Sequence, residues 1–169
     1  IRSQIPEEDI WAVDQERATG QLTIYNSEPG GGFIGIPLEL GDFNDDGKMD
    51  FVVTAMFADT GPSNNRKNGG EVYLYQGDGR LQGALDRARL PTSTGTLTLE
   101  GERGGDFLGT EVFTADVNGD GIDDLLIGAQ NLDLVSGNTM VRDNCGGVYV
   151  VLGRREIFQG NTTLDLSTD

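Results

Sequence analysis

The sequence has no histidine and a single cysteine, Cys145, and its 28 acidic residues far outnumber its 12 basic residues. The lack of histidine removes the commonest general base and the commonest metal ligand. One cysteine excludes a disulfide within the chain and a cysteine zinc cluster. The formal net charge of −16 would repel nucleic acid and anionic membrane surfaces, so neither is an expected partner. Cations are the natural partners of such a chain.

Long hydrophobic runs and hydrolase motifs are also missing. No run of about 18 apolar residues occurs, so no membrane insertion is expected, and the amino terminus lacks the pattern of a signal peptide. A first residue of Ile1 rather than Met predicts a processed product or an excerpt. Nucleophilic serines have no histidine partner, which excludes the usual forms of triad hydrolysis. Carboxylate pairs stay open, but none stands out beyond the acidic loops below, and the chain is predicted not to be an enzyme.

Glycine is abundant where proline is scarce, with 26 glycines against 5 prolines and no collagen-like period. This composition predicts many tight turns between short strands. A hydrophobic content of 36% is enough for a core in one ordinary domain or two small ones. The exception to the β pattern is segment 81–90, where apolar residues from Leu81 to Ala88 recur at helical spacing and predict a short helix that Pro91 would stop.

The sequence repeats itself once, without a gap, across a block of acidic and apolar residues. Segment 32–55 begins with Gly-Phe-Ile-Gly and segment 106–129 with Asp-Phe-Leu-Gly, so that Phe33 and Phe107 take the same place in the two copies. In both segments an acidic loop follows, and then an apolar run rich in β-forming residues. Such self-similarity predicts a repeated supersecondary unit.

Further matching pieces flank this block. Segment 70–77 resembles segment 146–153, at a slightly larger offset because the loop before it is longer in the second copy. Segments 21–25 and 96–100 both have the pattern of short strands that lead into the Phe-x-Gly piece, and residues 164–166 are expected to begin a third copy. Each unit therefore holds about four strands.

Four-stranded units that repeat are typical of a β-propeller, which has about 4 to 8 blades. The predicted fold is all-β, with about two blades of four-stranded antiparallel sheet. Two blades cannot close a ring, so a larger or multi-chain assembly is expected, because open edges expose unpaired backbone groups. The predicted division has an amino-terminal segment 1–19 that could be a strand of a preceding blade, a first repeat 20–95, a second repeat 96–160, and a strand start or tail 161–169.

Each unit contains an acidic loop whose spacing predicts a calcium site. Asp, Asn, Asp and Asp occupy positions 1, 3, 5 and 9 of loop 1 (residues 42–50) and of loop 2 (residues 116–124), with glycine at position 6. Calcium takes about six to eight oxygen ligands, and alternate short side chains of a curled loop can point oxygens inward, together with the carbonyl of position 7. Two Ca2+ ions are predicted, with the ligands Asp42, Asn44, Asp46, Lys48 and Asp50 in loop 1, and Asp116, Asn118, Asp120, Ile122 and Asp124 in loop 2.

An EF-hand does not account for these loops. It would need an acid at position 12 and a following helix, whereas position 12 holds Val53 or Ile127 within a β-rich run. Each loop is therefore expected to join strand to strand. The further acids Asp45 and Asp123 are expected to be solvated rather than ligating. Three carboxylates within nine residues repel one another until a divalent cation compensates them, so folding is expected to be coupled to calcium binding.

At these residues the sequence resembles the FG-GAP repeats of integrin α-subunit β-propellers and of many secreted bacterial proteins. Phe33-Ile34-Gly35 and Phe107-Leu108-Gly109 stand for the Phe-Gly piece, and Gly128-Ala129-Gln130 stands for the Gly-Ala-Pro piece. The first copy has Thr54-Ala55-Met56 instead, and neither copy keeps the proline. The resemblance covers about residues 20–153 and implies two calcium-binding repeats of a propeller.

The resemblance implies a binding or structural role, because the family includes adhesion receptors, non-catalytic domains of secreted enzymes and surface proteins. The expected function is a calcium-stabilised FG-GAP propeller module of an extracellular or cell-surface protein, acting in adhesion, recognition or assembly without catalysis. The alternatives are an accessory domain of a secreted enzyme and a subunit of an extracellular filament. The expected partners are other propeller blades, protein chains or an extracellular ligand, and a homo-oligomer is open.

Weaker signals complete the pattern. Residues 30–35 fit G-x-G-x-x-G, but no helix is predicted after them, which argues against a dinucleotide site. Cys145 is expected to be a buried apolar residue, the alternative being a cross-link between chains. Asn161 begins an N-glycosylation triplet whose use is open. The polar loops 60–68 and 131–144 are expected to be solvated, although partners could contact them.

Overall fold

The structure is a computed structural model that describes residues 22–27, 32–81, 83–87, 95–136, 139–159 and 163–167. Strands make up 45% of the residues described, and the predicted all-β class is confirmed. A short 3-10 turn spans Pro62–Asn64. The strands are β1 (Leu22–Tyr25), β2 (Leu38–Gly41), β3 (Asp50–Ala55), β4 (Glu71–Tyr75), β5 (Gly83–Asp86), β6 (Thr96–Glu100), β7 (Leu108–Ala115), β8 (Asp124–Ala129), β9 (Leu134–Ser136), β10 (Thr139–Arg142), β11 (Gly147–Val151) and β12 (Thr163–Asp165).

The first sheet contains four antiparallel strands in the order β2-β3-β4-β6. Its central strands β3 and β4 are rich in β-branched and aromatic residues and are almost completely buried. The fourth of these strands, β6, comes from the segment before the second Phe-x-Gly piece, so the sheet is completed by sequence beyond residue 95. Four antiparallel strands in this order are consistent with one propeller blade.

The second sheet contains three antiparallel strands, in the order β7-β8-β11, within the part of the chain that the structure describes. These strands correspond to β2, β3 and β4 through the sequence offsets of the repeat. A register shift between Leu108 and Val112 interrupts the ladder at the start of β7. The second unit therefore shows three of the roughly four strands expected from the repeat.

Two hydrophobic clusters hold the sheets in place. One face of the first sheet, with Val52, Val72 and Leu74, packs against Leu125 and Ile127 of the second sheet, and all of them are fully buried. Each such aliphatic side chain stabilises the fold by about 1.5–3 kcal/mol, so this layer fixes the two units against each other. The opposite face of the first sheet forms a second cluster, made of Val53, Ala55, Ala58, Tyr73 and Tyr75.

Two short parallel strands repeat a feature that the sequence comparison missed. β5 pairs in parallel with β1, and β12 pairs in parallel with β6. The registers correspond, because Tyr25 pairs with Asp86 and the equivalent Glu100 pairs with Asp165. A Leu-Asp dipeptide that recurs, at residues 85–86 and again at 164–165, is the sequence signal that could have identified this fifth strand of the repeat.

This pairing corrects two predictions. The helix expected over 81–90 is wrong, because residues 83–86 form strand β5, which begins at Gly83 with a φ of 75°. A helix there would carry an interior glycine, which costs about 1 kcal/mol, whereas pairing with β1 satisfies the backbone groups. The expected third copy at residues 164–166 is also wrong, because β12 corresponds to β5 and extends the first sheet. Residues 82 and 88–90 lie outside the residues described.

The two polar loops differ in shape. Loop 60–68 contains the 3-10 turn and an isolated bridge between Thr60 and Arg66, whereas the longer loop contains strands β9 and β10, which pair antiparallel. Cys145 follows β10 and is exposed, so the prediction of a buried cysteine is wrong. The predicted segment 1–19 and Asn161, the acceptor of the glycosylation triplet, lie outside the residues described.

Candidate cation-binding loops

Each acidic loop connects two neighbouring antiparallel strands, as the sequence predicts. Loop 1 lies between β2 and β3, and Asp50 is the first residue of β3. Loop 2 lies between β7 and β8, and Asp124 is the first residue of β8. The last acid of each loop is therefore part of a ladder, while the earlier acids lie in the turn. The core strands that follow hold the two ends of the loop close together.

The carboxylate at position 1 collects backbone N–H groups from the far side of the loop. Asp42 accepts the N–H of Asp46 at 3.1 Å and that of Gly47 at 2.9 Å. Asp116 accepts the N–H of Asp120 at 3.2 Å and that of Gly121 at 2.9 Å, together with the N–H of Gly119 at 2.7 Å. Several of these bonds hold the pKa of Asp116 below its ordinary value, and the bond from Gly121 lowers it most. Position 1 thus curls both loops.

The side chains at positions 3 and 5 interact in the same way in both loops. In loop 1, Asn44 accepts the N–H of Asp46 at 3.2 Å and its amide donates to Asp46 Oδ2 at 3.2 Å. In loop 2, Asn118 accepts the N–H of Asp120 at 2.8 Å and donates to Asp120 Oδ2 at 3.0 Å. Because positions 1 and 3 accept the same N–H group, their oxygens converge on one point. The other oxygen of position 5 accepts the N–H of position 7.

The carboxylate at position 9 is fully buried in both loops and holds two N–H groups from different parts of the unit. Asp50 accepts the N–H of Phe43 at 3.1 Å and that of Gly77 at 2.8 Å. Asp124 accepts the N–H of Val117 at 3.0 Å and that of Gly153 at 2.8 Å. One carboxylate therefore joins the start of the loop to the end of the third strand.

Two positions of each loop have left-handed backbone conformations. Position 6 is glycine in both, with φ of 78° at Gly47 and 89° at Gly121, which is why a side chain is disfavoured there. Position 4 has φ of 55° at Asp45 and 79° at Gly119. Aspartate tolerates this region better than most residues with side chains, so both copies reach the same turn with different residues.

The donor set of each loop has the chemistry that a hard divalent cation requires. Each loop offers three carboxylates, one amide oxygen and the carbonyl of position 7, all of them oxygen donors. Burial raises the pKa of Asp50 to about 6, and the negative charges of Asp46 and Asp42 raise it further. The two N–H bonds that Asp50 accepts lower this pKa, but by less. The three acids of loop 1 are therefore close enough to repel one another.

The acids are not gathered into a closed ligand cluster. Within the described ranges, no three acidic or cysteine side chains are arranged to hold a metal ion. Side-chain oxygens of the loops accept backbone N–H groups. A carboxylate has about four lone-pair sites, so one accepted N–H bond leaves each oxygen able to ligate. The residues thus fit calcium in donor type, with five donor groups in each loop, and the loop shape brings positions 1 and 3 together.

A glycine follows the third strand at the same place in both units, and it contacts the acidic loop. Gly77 and Gly153 donate to the position 9 carboxylates, and a Cβ atom at Gly77 would lie 1.9 Å from the carbonyl oxygen of Met49. A Cβ atom at Gly153 would lie 2.2 Å from the carbonyl oxygen of Asp123. Both glycines therefore allow the position 8 carbonyl of the loop to approach the segment after the third strand. Their recurrence at the same place in both copies is the sequence signal for this contact.

Two further acids, which are predicted to be solvated rather than ligating, bind residues of the other unit, and Asp45 is also exposed. Asp123 Oδ2 accepts the N–H of Asp42 at 2.8 Å. Asp45 Oδ2 accepts two N–H groups of the Arg155 guanidinium, at 2.5 Å and 3.0 Å. Neither contact could be derived from loop spacing, because each joins residues of different repeats.

Comparison with known families agrees with this architecture. An FG-GAP-like repeat model matches residues 42–127 and an FG-GAP repeat model matches residues 108–151. The chain belongs to the FG-GAP-like repeat family. Searched against curated proteins, it gives no match. Repeats of this family typically occur in extracellular or surface proteins and are generally non-catalytic. Among the residues described, no helix is long and apolar enough to cross a bilayer.

Proposed function

We propose that this chain is a calcium-stabilised FG-GAP propeller module of an extracellular or cell-surface protein, acting in adhesion, recognition or assembly without catalysis. The observation that carries the proposal is the duplication of the loops. Seven hydrogen bonds that involve the side chains at positions 1, 3, 5 and 9 recur in both units, six within the loop and one from the glycine after the third strand. Two chemically equal sites on one scaffold support a shared role.

In this proposal the ions stabilise the fold rather than perform chemistry. Asp42, Asn44, Asp46, Asp50 and the Lys48 carbonyl hold one ion, and the five equivalent residues of loop 2 hold the other. Bound calcium supplies the positive charge that offsets three neighbouring carboxylates. The buried position 9 acid connects each loop to the third strand, so ordering of the loop is transmitted to the sheet. Extracellular calcium in the millimolar range suits modular sites of modest affinity.

Calcium titration of the full chain tests this proposal. Isothermal titration should give two sites, and Asp46→Ala and Asp120→Ala should each remove one of them. Chelation should lower Tm, because a ligand present at about 100 times its Kd stabilises the native state by about 2.7 kcal/mol. Glu111→Ala, an exposed acid outside the loops, is the control and should change neither result. A folded protein that binds no calcium would refute the proposal.

The partner proposed for this module is a further repeat unit, in the form of another blade or a second protein chain. On the first sheet, Val72 and Leu74 are fully buried by the second sheet. The equivalent residues of the second sheet, Val148 and Val150, are 64% and 50% exposed, and Phe113 on the same face of this sheet is 60% exposed. The second sheet thus presents the kind of face that one unit buries against the next.

Sedimentation of the purified chain tests the multi-chain form of this partner proposal. If a second chain covers the exposed face, the sedimentation coefficient should rise with protein concentration, and Val148→Asp should suppress that rise by placing a charge on the face. Glu111→Ala is again the control, because it changes an exposed residue of the same sheet without adding a charge. A monomer at every concentration would argue against both a homo-oligomer and a filament.

A further inference from the structure

The two loops touch each other directly. Asp123, at position 8 of loop 2, accepts the N–H of Asp42 through Oδ2 at 2.8 Å and donates its own N–H to the Asp42 carbonyl at 3.3 Å. Asp42 is position 1 of loop 1. Asp123 lies between Ile122, whose carbonyl is the predicted ligand of position 7, and the buried acid Asp124. A reciprocal pair of hydrogen bonds thus joins the beginning of one candidate site to the end of the other.

The segment after β11 strengthens this connection. Gly153 donates to Asp124 in loop 2, and the next residue, Arg154, donates its N–H to the Phe43 carbonyl of loop 1 at 2.9 Å. The following side chain, Arg155, pairs with Asp45. Of these three consecutive residues, Gly153 contacts loop 2, and Arg154 and Arg155 contact loop 1. Through these hydrogen bonds, a displacement of loop 2 would move positions 1, 2 and 4 of loop 1.

We propose that Asp123 is a positioning residue that couples the two loops, so that calcium bound in one raises the affinity of the other. This inference rests on the proposed calcium function. A cation in loop 2 orders Ile122 and Asp124, and hence Asp123 between them. Asp123 then holds the backbone of Asp42 before the second ion arrives, so loop 1 loses less conformational freedom on binding. The coupling is positive because each loop orders a residue that the other uses.

Thermodynamic linkage makes the inference quantitative. If loading of loop 2 raises the affinity of loop 1 by a certain factor, loading of loop 1 raises the affinity of loop 2 by the same factor. Coupling between sites is typically about fivefold or more. If Asp123 only stabilised the fold, its substitution would weaken both sites, and loading of one site would not change the affinity of the other.

Calcium titration of the full chain and its variants tests the coupling. The wild type should bind two ions cooperatively. Asp120→Ala disables loop 2 and should weaken loop 1 about fivefold or more, and Asp46→Ala should weaken loop 2 by the same factor. Asp123→Ala should leave two independent sites, whereas Asp123→Asn keeps an oxygen for the Asp42 N–H and should retain the cooperativity. Glu111→Ala should behave as the wild type.

The outcomes separate the coupling from the proposed function. Two independent sites in the wild type, with unchanged affinities in the single-site variants, would overturn the coupling and leave the calcium function standing. A wild type that binds no calcium would overturn the proposed function itself. Loss of cooperativity in Asp123→Asn would also overturn the inference, because charge rather than the hydrogen bond would then connect the loops. If Asp123→Ala does not fold, the reciprocity of the single-site variants decides.

Discussion

Loop 1 and loop 2 have the same internal hydrogen bonds but different surroundings. Asn44 of loop 1 is only 7% exposed, whereas Asn118 at the same position of loop 2 is an exposed residue. On either side of Asn44, residues 42, 43 and 45 form hydrogen bonds with Asp123, Arg154 and the Arg155 side chain of the second unit. The comparison shows that the turn is encoded within the loop, while its burial is supplied by the following unit.

The loops also differ in the charge around position 5. In loop 1 the Gln76 amide donates to Asp46 Oδ2 at 3.1 Å, and Lys48 Nζ lies 4.0 Å from the same oxygen. The Gln76 bond is the main cause that holds the pKa of Asp46 below its ordinary value. In loop 2 the equivalent residues are Leu152 and Ile122. Since loop 1 already offsets part of its negative charge, we expect loop 2 to bind calcium more tightly.

The largest effect should come from the buried carboxylate that each loop has at position 9. Asp50→Ala and Asp124→Ala each leave two N–H groups without their acceptor in a buried site, at about 1–3 kcal/mol for each group. We therefore expect each variant to lose about 4 kcal/mol of unfolding free energy in urea titrations with chelator present. Exposed Asp143→Ala is the control. A loss below about 1 kcal/mol in only one loop would break the equivalence of the two loops.

The next effect concerns an acid that only the second unit has. Asp106 occupies the position of Gly32, and burial raises its pKa to about 6, with a further contribution from the charge of Asp133. The native state therefore binds this proton more tightly than the unfolded state does. The stabilisation is full below about pH 4 and is lost as the pH rises through about 6.

Asp106→Asn should remove this part of the pH dependence. Unfolding free energies measured between pH 4 and 7 should differ in slope between variant and wild type, by at most about 3 kcal/mol over the range. Glu111→Ala serves as the control for a lost surface charge. Parallel curves for Asp106→Asn and wild type would show that the acid is not what distinguishes the second unit at low pH.

A smaller and equal effect is expected from the glycines behind the loops. Gly77→Ala and Gly153→Ala place a Cβ atom 1.9 Å and 2.2 Å from backbone carbonyl oxygens, so the loop must shift. Overpacking of this kind costs about 2 kcal/mol. Thermal unfolding with chelator should show a lower Tm for both. Gly79→Ala is the control for space, because a Cβ atom there meets no atom within 4 Å, although its φ of 80° adds strain. Tm values of Gly77→Ala and Gly153→Ala at or above that of Gly79→Ala would contradict a steric role.

The smallest effect should come from exchanging position 7 between the loops. Lys48→Ile removes an exposed positive charge beside Asp46 and should raise the calcium affinity of loop 1 by about threefold. Ile122→Lys should lower that of loop 2 by a similar factor. Titrations in the background of Asp120→Ala or Asp46→Ala isolate each site. Higher salt should reduce both changes, since the charges are exposed. Affinities that do not respond would show that position 7 acts through its carbonyl alone.

The sequence predicted the all-β class and the strand-to-strand setting of the loops because both depend on local patterns. Alternation, glycine turns and a spacing of acids that recurs in the second copy are visible without any knowledge of contacts. It failed over residues 83–86, where helical spacing of apolar residues is overridden by pairing with β1. The calcium ligands stay predictions, because hydrogen bonds define the loop shape without showing which ion it takes.

The sequence by itself determined the repeat, the positions of the acids and the glycines that let each loop curl, since a loop of nine residues closes on its own hydrogen bonds. Only the tertiary structure decided that Asp123 binds Asp42, that Arg155 pairs with Asp45 and that β12 extends the first sheet beside β6. Contacts between residues far apart in the chain depend on how the two sheets pack, and no local pattern specifies that arrangement.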